Sequence, residues 1–380
     1  MISFELTDEQ KEMKELARKF TKNEIIPVAS ELDNKAEMPM EIIKKAFEIG
    51  LWNFNIPVEY GGLGLNHITE SILLEEIAYG CLGIHGAWAG NSLGLSPIII
   101  AGNDEQKNQW LTQFIHEPLF AAFCITEPDA GSDVSAMRTK AKKDGEYYIL
   151  NGVKHFITHG GISRLHTIFA RTDNNDKGAR GLSAFLVSGN SDGLLMGKVE
   201  DKMGDRASHI SEVILEDVKV PACNLLGNEG SGFKIAMQTL DRTRMSIGAA
   251  AVGVARRAYE EALEYSKNRV QFGKPICRHQ SIAFMLADMA TEIEAARALV
   301  WHAAWQMDNG NPSPKLGAMS KLFAADMAMK ITVDAVQIFG GYGYIKEYPV
   351  EKLMRDAKIL QIYEGTQQIQ RIVISNNILS

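Results

Sequence analysis

Three long stretches late in the chain, Ile247–Val270, Ser281–Met307 and Leu316–Phe339, limit the fold more than any other feature. Each is rich in alanine and leucine, residues that lose little entropy in a helix. Together they are long enough for a helical bundle, and their many small apolar residues imply faces that one monomer leaves uncovered. The first third also reads as helix. Thr7 followed by Gln10 makes a capping box, and Met13, Leu16, Ala17 and Phe20 then recur on one face. Further helices are expected at Glu41–Ile49, Thr69–Ala78 and Leu95–Ala101, with the glycine-rich EYGGLGL (59–65) breaking the pattern. Between the helical ends lies a different texture. Tyr147–Leu150, Asn151-Gly152 and Val153–Thr158 spell a hairpin with a type I′ turn, and strands are expected at His166–Arg171, Ser183–Ser188 and Val213–Val220. Turns are expected at Asp144-Gly145 and Asn190–Gly193. The expected fold is α+β in three domains: a helical one over 1–120, a central antiparallel β domain over 121–230 and a four-helix bundle over 231–380.

Composition narrows the function classes. A net charge of −7 argues against nucleic acid as the main partner, although a local basic patch could still hold a phosphorylated ligand. Cys81, Cys124, Cys223 and Cys277 form no CxxC pair, so neither a zinc site nor a disulfide framework is expected. No segment nears 18 uninterrupted apolar residues, so no membrane span is expected, and the acidic opening MISFELTDEQKEM lacks the apolar run of a signal peptide. The cytoplasm is the expected location, or the mitochondrial matrix if a transit peptide was removed.

Several stretches could carry chemistry, and each also has an ordinary structural reading. ITEPDAGSD (125–133) holds Thr126 and Ser132 on a loop with free backbone N–H groups, or is a polar interdomain turn. KHFITHGG (154–161) puts Phe156 two residues from Thr158, an aromatic beside a hydroxyl that could hold a planar heterocycle, or is a half-buried strand. Its histidines, His155 and His159, read as surface or rim residues rather than metal ligands. In NRVQFGKPI (268–276), Arg269 could bind phosphate and Phe272 stack on an adenine, or Arg269 answers a helix dipole and Gly273 caps it. QIFGGYGY (337–344) places three glycines where a backbone could approach something bulky, or is a loop. Asp241 to Arg244 form a polar group ahead of an apolar helix, where two arginines oppose the dipole and point to an anion, or are solvated surface. Glu364 follows Ile359, Leu360, Ile362 and Tyr363, with no partner nearby in sequence. Apolar surroundings raise a carboxyl pKa and suit a general base near neutral pH, with Gly365 letting the next N–H approach a substrate carbonyl; otherwise Glu364 is an acid favoured by a helix N-terminus.

Taken together, these stretches resemble the acyl-CoA dehydrogenase family. ITEPDAGSD resembles its TEPxAGSD loop, KHFIT its K-x-W-I-T strand, NRVQFGKPI its R-x-x-F-G-K-x-I segment. QIFGGYGY and IYEGTQQIQR resemble its Q-x-x-G-G-x-G and Y-E-G-T-x-x-I-Q-R signatures. EYGGLGL and NSLGLSPIIIAGNDEQK match as well, so the likeness runs over essentially the whole chain. The resemblance implies FAD, an acyl-CoA substrate of fatty-acid β-oxidation type, a homotetramer and an electron-transferring flavoprotein as acceptor. It implies Glu364 as the base that takes the α-proton while a hydride leaves the β-carbon for the flavin, giving a trans-2-enoyl-CoA. It implies Thr126, Thr158, Ser132 and Thr366 as flavin contacts, with Ser132 also on the substrate side. Arg269, Phe272, Gln337 and Gly341 are implied as FAD contacts across a subunit interface. Asp241 and Arg244 are implied near the CoA portion, Gly365 beside the thioester, and His85, Gly86 and Trp88 along the acyl tail.

Two departures stand out. The family's tryptophan on the flavin is Phe156 here, which covers the face with less area and no indole N–H. Some branches carry the base near residue 243, where this chain has Thr243, which favours Glu364. The same residues would serve an enoyl-CoA reductase running the opposite way. An acyl-CoA oxidase and a catalytically silent scaffold are the weaker alternatives, and retention of Glu364 speaks against the last.

Overall fold

The structure is a computed structural model that describes residues 5–173 and 178–379. The N-terminal part is helical: α1 (Asp8–Phe20), α2 (Ala29–Lys35), α3 (Met40–Glu48), α4 (His67–Gly80), α5 (Leu82–Ala101), α6 (Asp104–Leu111) and α7 (Gln113–His116). The capping box at Thr7 and Gln10 forms as expected, and Ala17 and Phe20 are buried on the apolar face, with Leu16 at its exposed edge.

The central sheet comprises β1 (Ala121–Cys124), β2 (Lys140–Asp144), β3 (Tyr147–Thr158), β4 (Leu165–Arg171), β5 (Leu182–Ser188), β6 (Leu194–Val199), β7 (Ile210–Pro221) and β8 (Leu225–Leu226). Its order is β6-β7-β3-β2-β4-β5-β8, antiparallel in most ladders. Two parallel contacts, β1 with β4 and β2 with β4, make it a mixed sheet rather than the purely antiparallel one expected. The C-terminal part holds α8 (Gly232–Asn268), a small hairpin of β9 (Val270–Gln271) and β10 (Lys274–Pro275), then α9 (Gln280–Asp308), α10 (Pro314–Phe339), α11 (Val350–Ala357) and α12 (Gln367–Leu379). Among the described residues no helix is long and apolar enough to cross a membrane.

Three local expectations are corrected. Asn151-Gly152 does not turn the chain: β3 runs straight through it, and the hairpin closes at Asp144–Tyr147 instead. The Asn151 amide donates to the Asp217 carboxylate and accepts from its N–H, so the pair forms a bulge where the β3–β7 register slips. Second, Asp241–Arg244 lie inside α8, which begins at Gly232, so the dipole argument for them fails. Third, α5 begins at Leu82, well before Leu95.

That early start reflects a stripe of glycines. Gly83, Gly86, Gly90 and Gly94 recur every three or four residues on one face of α5, and that face lies against the sheet domain. A Cβ on Gly94 would sit 2.5 Å from the Ala121 carbonyl carbon, and one on Gly90 would sit 2.4 Å from Thr158 Cγ2. Gly94→Ala is therefore expected to cost about 2 kcal/mol by forced overpacking against backbone that cannot yield. Urea unfolding would check it, because the same substitution at exposed Gly131, which meets nothing, is expected to leave the midpoint unchanged.

Candidate functional site

The loop before α12 is built from opposing demands. Glu364 and Gly365 both adopt positive φ, at 51° and 93°, a conformation costly for the glutamate. The turn puts the Glu364 side chain against α8, where the Thr243 hydroxyl donates to Oε2 at 2.6 Å. Glu364 therefore has a partner after all, 121 positions away in sequence. It does not cap α12, which begins only at Gln367. Burial pushes its carboxyl up to about 7, against the opposing pull of Thr243, Lys321 and Arg244.

This placement has a stability consequence. In the unfolded chain the group ionises near 4.5, but in the fold it holds its proton to about 7. Folding stability is thus undiminished below 4.5 and falls as pH rises between those values. Glu364→Gln is expected to remove that loss, making the variant more stable than the wild type at pH 8 by about 2 kcal/mol but not at pH 4.5. Urea unfolding of the holoprotein at both pH values reads the difference.

Arg244 is buried one turn from Asp241 on α8 and pairs with it, while its Nε, also buried, has no partner among the described residues. An unpartnered buried donor beside the carboxylate is what a bound acceptor would satisfy. Thus Asp241, Thr243, Arg244, Glu364 and Gly365 converge in space. Thr366 closes the group: its Oγ1 accepts from Ile369 N–H at 3.3 Å at the start of α12.

A second group forms on the sheet. The loop carrying Thr126 and Ser132 is closed by a Glu127–Ala130 bridge, and Thr126 O accepts from His155 N–H at 2.9 Å. Thr126 and Thr158 are half-buried, and Ser132 is exposed on the same loop. Phe156 sits in a bulge of β3 at φ 57° and is 62% exposed, so the expected simple strand alternation with Thr158 is interrupted there. His155 lies between Glu200 and Glu212. His159 is fully buried against Phe120, not at the rim as expected, and burial drives its pKa down to about 3, so it stays neutral.

Beneath this group lies a pair that sequence reasoning missed. Lys154 Nζ meets Glu127 Oε1 at 2.8 Å with both side chains buried, and the Glu127 carboxylate also accepts from the N–H groups of Arg138 and Thr139. Burial alone would raise Glu127, but Lys154 and the amide donors outweigh it and keep the carboxylate low. The pair ties the 125–133 loop to β3, so it sets the spacing of Thr126 and Thr158. The only signal in the sequence was that each charge sits inside a motif.

Arg269, Phe272, Gln337 and Gly341 gather elsewhere, at the far end of α8 and α10. Here an open groove of about 450 Å³ is lined by Arg269, Gly340, Gly341 and Tyr342, above a stacked Tyr265–Phe339 pair. Gln337 and Phe272 lie outside its lining. Phe272 stands at the tip of the β9–β10 hairpin, 95% exposed, with Gly273 completing the turn at φ 76°. Arg269 thus precedes a hairpin rather than a plain helix cap. Along α5, His85 is buried with neither ring nitrogen bonded among the described residues, and Trp88 is turned into the helical core, where its Nε1 donates to Leu51 O and its ring meets Trp52 edge-on.

The fold matches known proteins along the whole chain. Family models described as the acyl-CoA dehydrogenase N-terminal, middle and C-terminal domains match residues 7–117, 122–218 and 230–379. A 3-(aryl)acrylate reductase of Clostridium sporogenes is 44% identical over 98% of this chain and 99% of its own. The butyryl-CoA dehydrogenase of Megasphaera elsdenii is 43% identical and superposes over 100% of both chains with a TM-score of 0.97. So does a 45% identical chain from a study of the electron transferring flavoprotein of Acidaminococcus fermentans, also at 0.97. The family's cofactor is FAD, and the donor set here suits it: Thr126 and Thr158 hydroxyls for the polar edge of a planar ring, an exposed aromatic at Phe156, and a guanidinium at Arg269 for phosphate. The chain belongs to the acyl-CoA dehydrogenase family, a group of FAD-dependent oxidoreductases.

Proposed function

We propose that this protein interconverts an acyl-CoA thioester and its trans-2-enoyl counterpart, with Glu364 as the base for the α-proton. The observation that carries the reading is a half-buried carboxylate, lifted to about 7 and aimed by one hydroxyl. An acid poised near ambient pH can take a proton from a weak carbon acid and return it. FAD supplies the hydride acceptor for the β-carbon when bound. The chain's own part is positional. The N–H of Glu364 makes no hydrogen bond within the described residues and is free to donate to the thioester oxygen, where enolate charge develops. Gly365 permits the turn by its positive φ of 93°, and Asp241 and Arg244 face the CoA side.

In this reading Thr126, Ser132, Phe156, Thr158 and Thr366 contact the flavin of the same subunit. The separate groove at Arg269 and Gly341, with Gln337 and Phe272 at its margins, serves FAD held mainly by a second copy of the chain. That arrangement supports a homotetramer and accounts for the exposure of Phe272. Electron exchange with an electron-transferring flavoprotein is supported by the Acidaminococcus relative's context. The likeness to the arylacrylate reductase and to the butyryl-CoA dehydrogenase supports either direction of the reaction.

Anaerobic titration of the holoprotein with acyl-CoAs of graded length and branching, followed by flavin bleaching, tests the reading. Bleaching by at least one saturated thioester, with an enoyl-CoA reoxidising the reduced protein, is the expected result. A protein that binds FAD but responds to neither class is something else.

A further inference from the structure

The left-handed turn at Glu364 and Gly365 needs an external restraint, and two buried side chains supply it. The Gln370 amide donates to Glu364 O at 3.1 Å and to Gly365 O at 3.0 Å. Lys321, on α10 and 0% exposed, donates from Nζ to Gly365 O at 2.8 Å and to Gln367 Oε1 at 3.1 Å. Gln367 in turn donates to Leu322 O and Asp326, so the loop is fastened to α10 at several points. A buried ammonium is an expensive way to hold a carbonyl, because an apolar residue of similar volume would avoid the desolvation cost. The expense makes sense if the charge itself is used.

We propose that Lys321 is a positioning residue for Glu364: it locks the turn that aims the carboxylate and supplies a fixed positive field behind it. The inference rests on Glu364 acting as the base. Three α8 and α10 groups face that carboxylate: Thr243 by hydrogen bond, and Arg244 and Lys321 by charge. Arg244 is offset by Asp241, its ion-pair partner, whereas Lys321 is answered by neutral oxygens and, at longer range, by Asp326 and Glu364 itself. Tyr363, the neighbour on the loop, is half-buried and held protonated by desolvation, and Asp205 and Asp356 lie behind it. Among the described residues, Lys321 is thus the cation near Glu364 that no adjacent carboxylate neutralises. Burial draws it down to about 8, which still leaves it mostly charged at pH 7.

Lys321→Met removes both charge and bonds, and Lys321→Gln keeps an amide donor without charge. The holoenzyme of each is compared with the wild type in two ways. One is the pH profile of anaerobic bleaching by a saturating thioester. The other is the protonation of the Glu364 carboxyl without substrate, followed by its infrared carbonyl stretch and assigned by its loss in Glu364→Gln. Both variants are expected to retain FAD and to titrate Glu364 about one unit higher than the wild type. Lys321→Met is expected to bleach about 10- to 100-fold more slowly at pH 7 through misaimed geometry, and Lys321→Gln to recover part of that rate. An unmoved Glu364 midpoint in both variants overturns the proposal while leaving Glu364 as the base. Wild-type bleaching by Glu364→Gln instead overturns the base reading itself, and this inference with it.

Discussion

Glu364→Gln is expected to retain FAD and bind acyl-CoA but to bleach about 1,000-fold more slowly than the wild type, the scale of a lost general base. The substitution is nearly isosteric. The Thr243 hydroxyl can still donate to the amide oxygen, so the loop should keep its course. What disappears is the lone pair that, in the proposed reaction, takes the α-proton. Stopped-flow absorbance under anaerobic conditions, with thioester binding measured separately, divides chemistry from affinity. A variant that bleaches at the wild-type rate would transfer the base to another residue. The pH dependence carries a matching signature. Wild-type bleaching should climb through pH 7, where Glu364 loses its proton, and the residual rate of the variant should not.

Lys154→Met is expected to be the most damaging single change away from the base. It would strand the Glu127 carboxylate in a buried position, with two amide donors but no counter-charge, at a cost of about 3–5 kcal/mol. Because Glu127 belongs to the loop bearing Thr126, the same change should loosen flavin binding. The double variant Lys154→Met with Glu127→Gln should recover a good part of the stability, since no isolated charge remains. Urea unfolding and the ratio of flavin to protein absorbance measure the two effects. If the single and double variants unfold alike, the pair contributes nothing beyond its separate members.

The parts of this molecule legible in sequence were those governed by short-range physics. The capping box at Thr7, the helices expected from Ser281 and Leu316 and the strands near residues 166, 183 and 213 formed close to where the sequence put them, while α8 starts at Gly232, well before Ile247. Glu364 stood out because an acid among apolar neighbours is a local anomaly. The misreadings came where tertiary contact overrode local preference. Asn151-Gly152 became a bulge because Asp217 on the neighbouring strand completed its hydrogen bonds. The expected helix at Leu95 begins at Leu82 instead, and the glycines along it are demanded by the sheet packed against them. Thr243, Lys321 and Lys154 were not identifiable as partners, because what each holds lies from 27 to 121 positions away.

The glycine stripe of α5 has a mechanical corollary. At Gly94 the helix rests directly on the main chain of Ala121 and Ala122, where no side-chain rotation can open a gap. The helical N-terminal part and the sheet then have no pivot between them at this seam. Calorimetry should show them melting in a single transition.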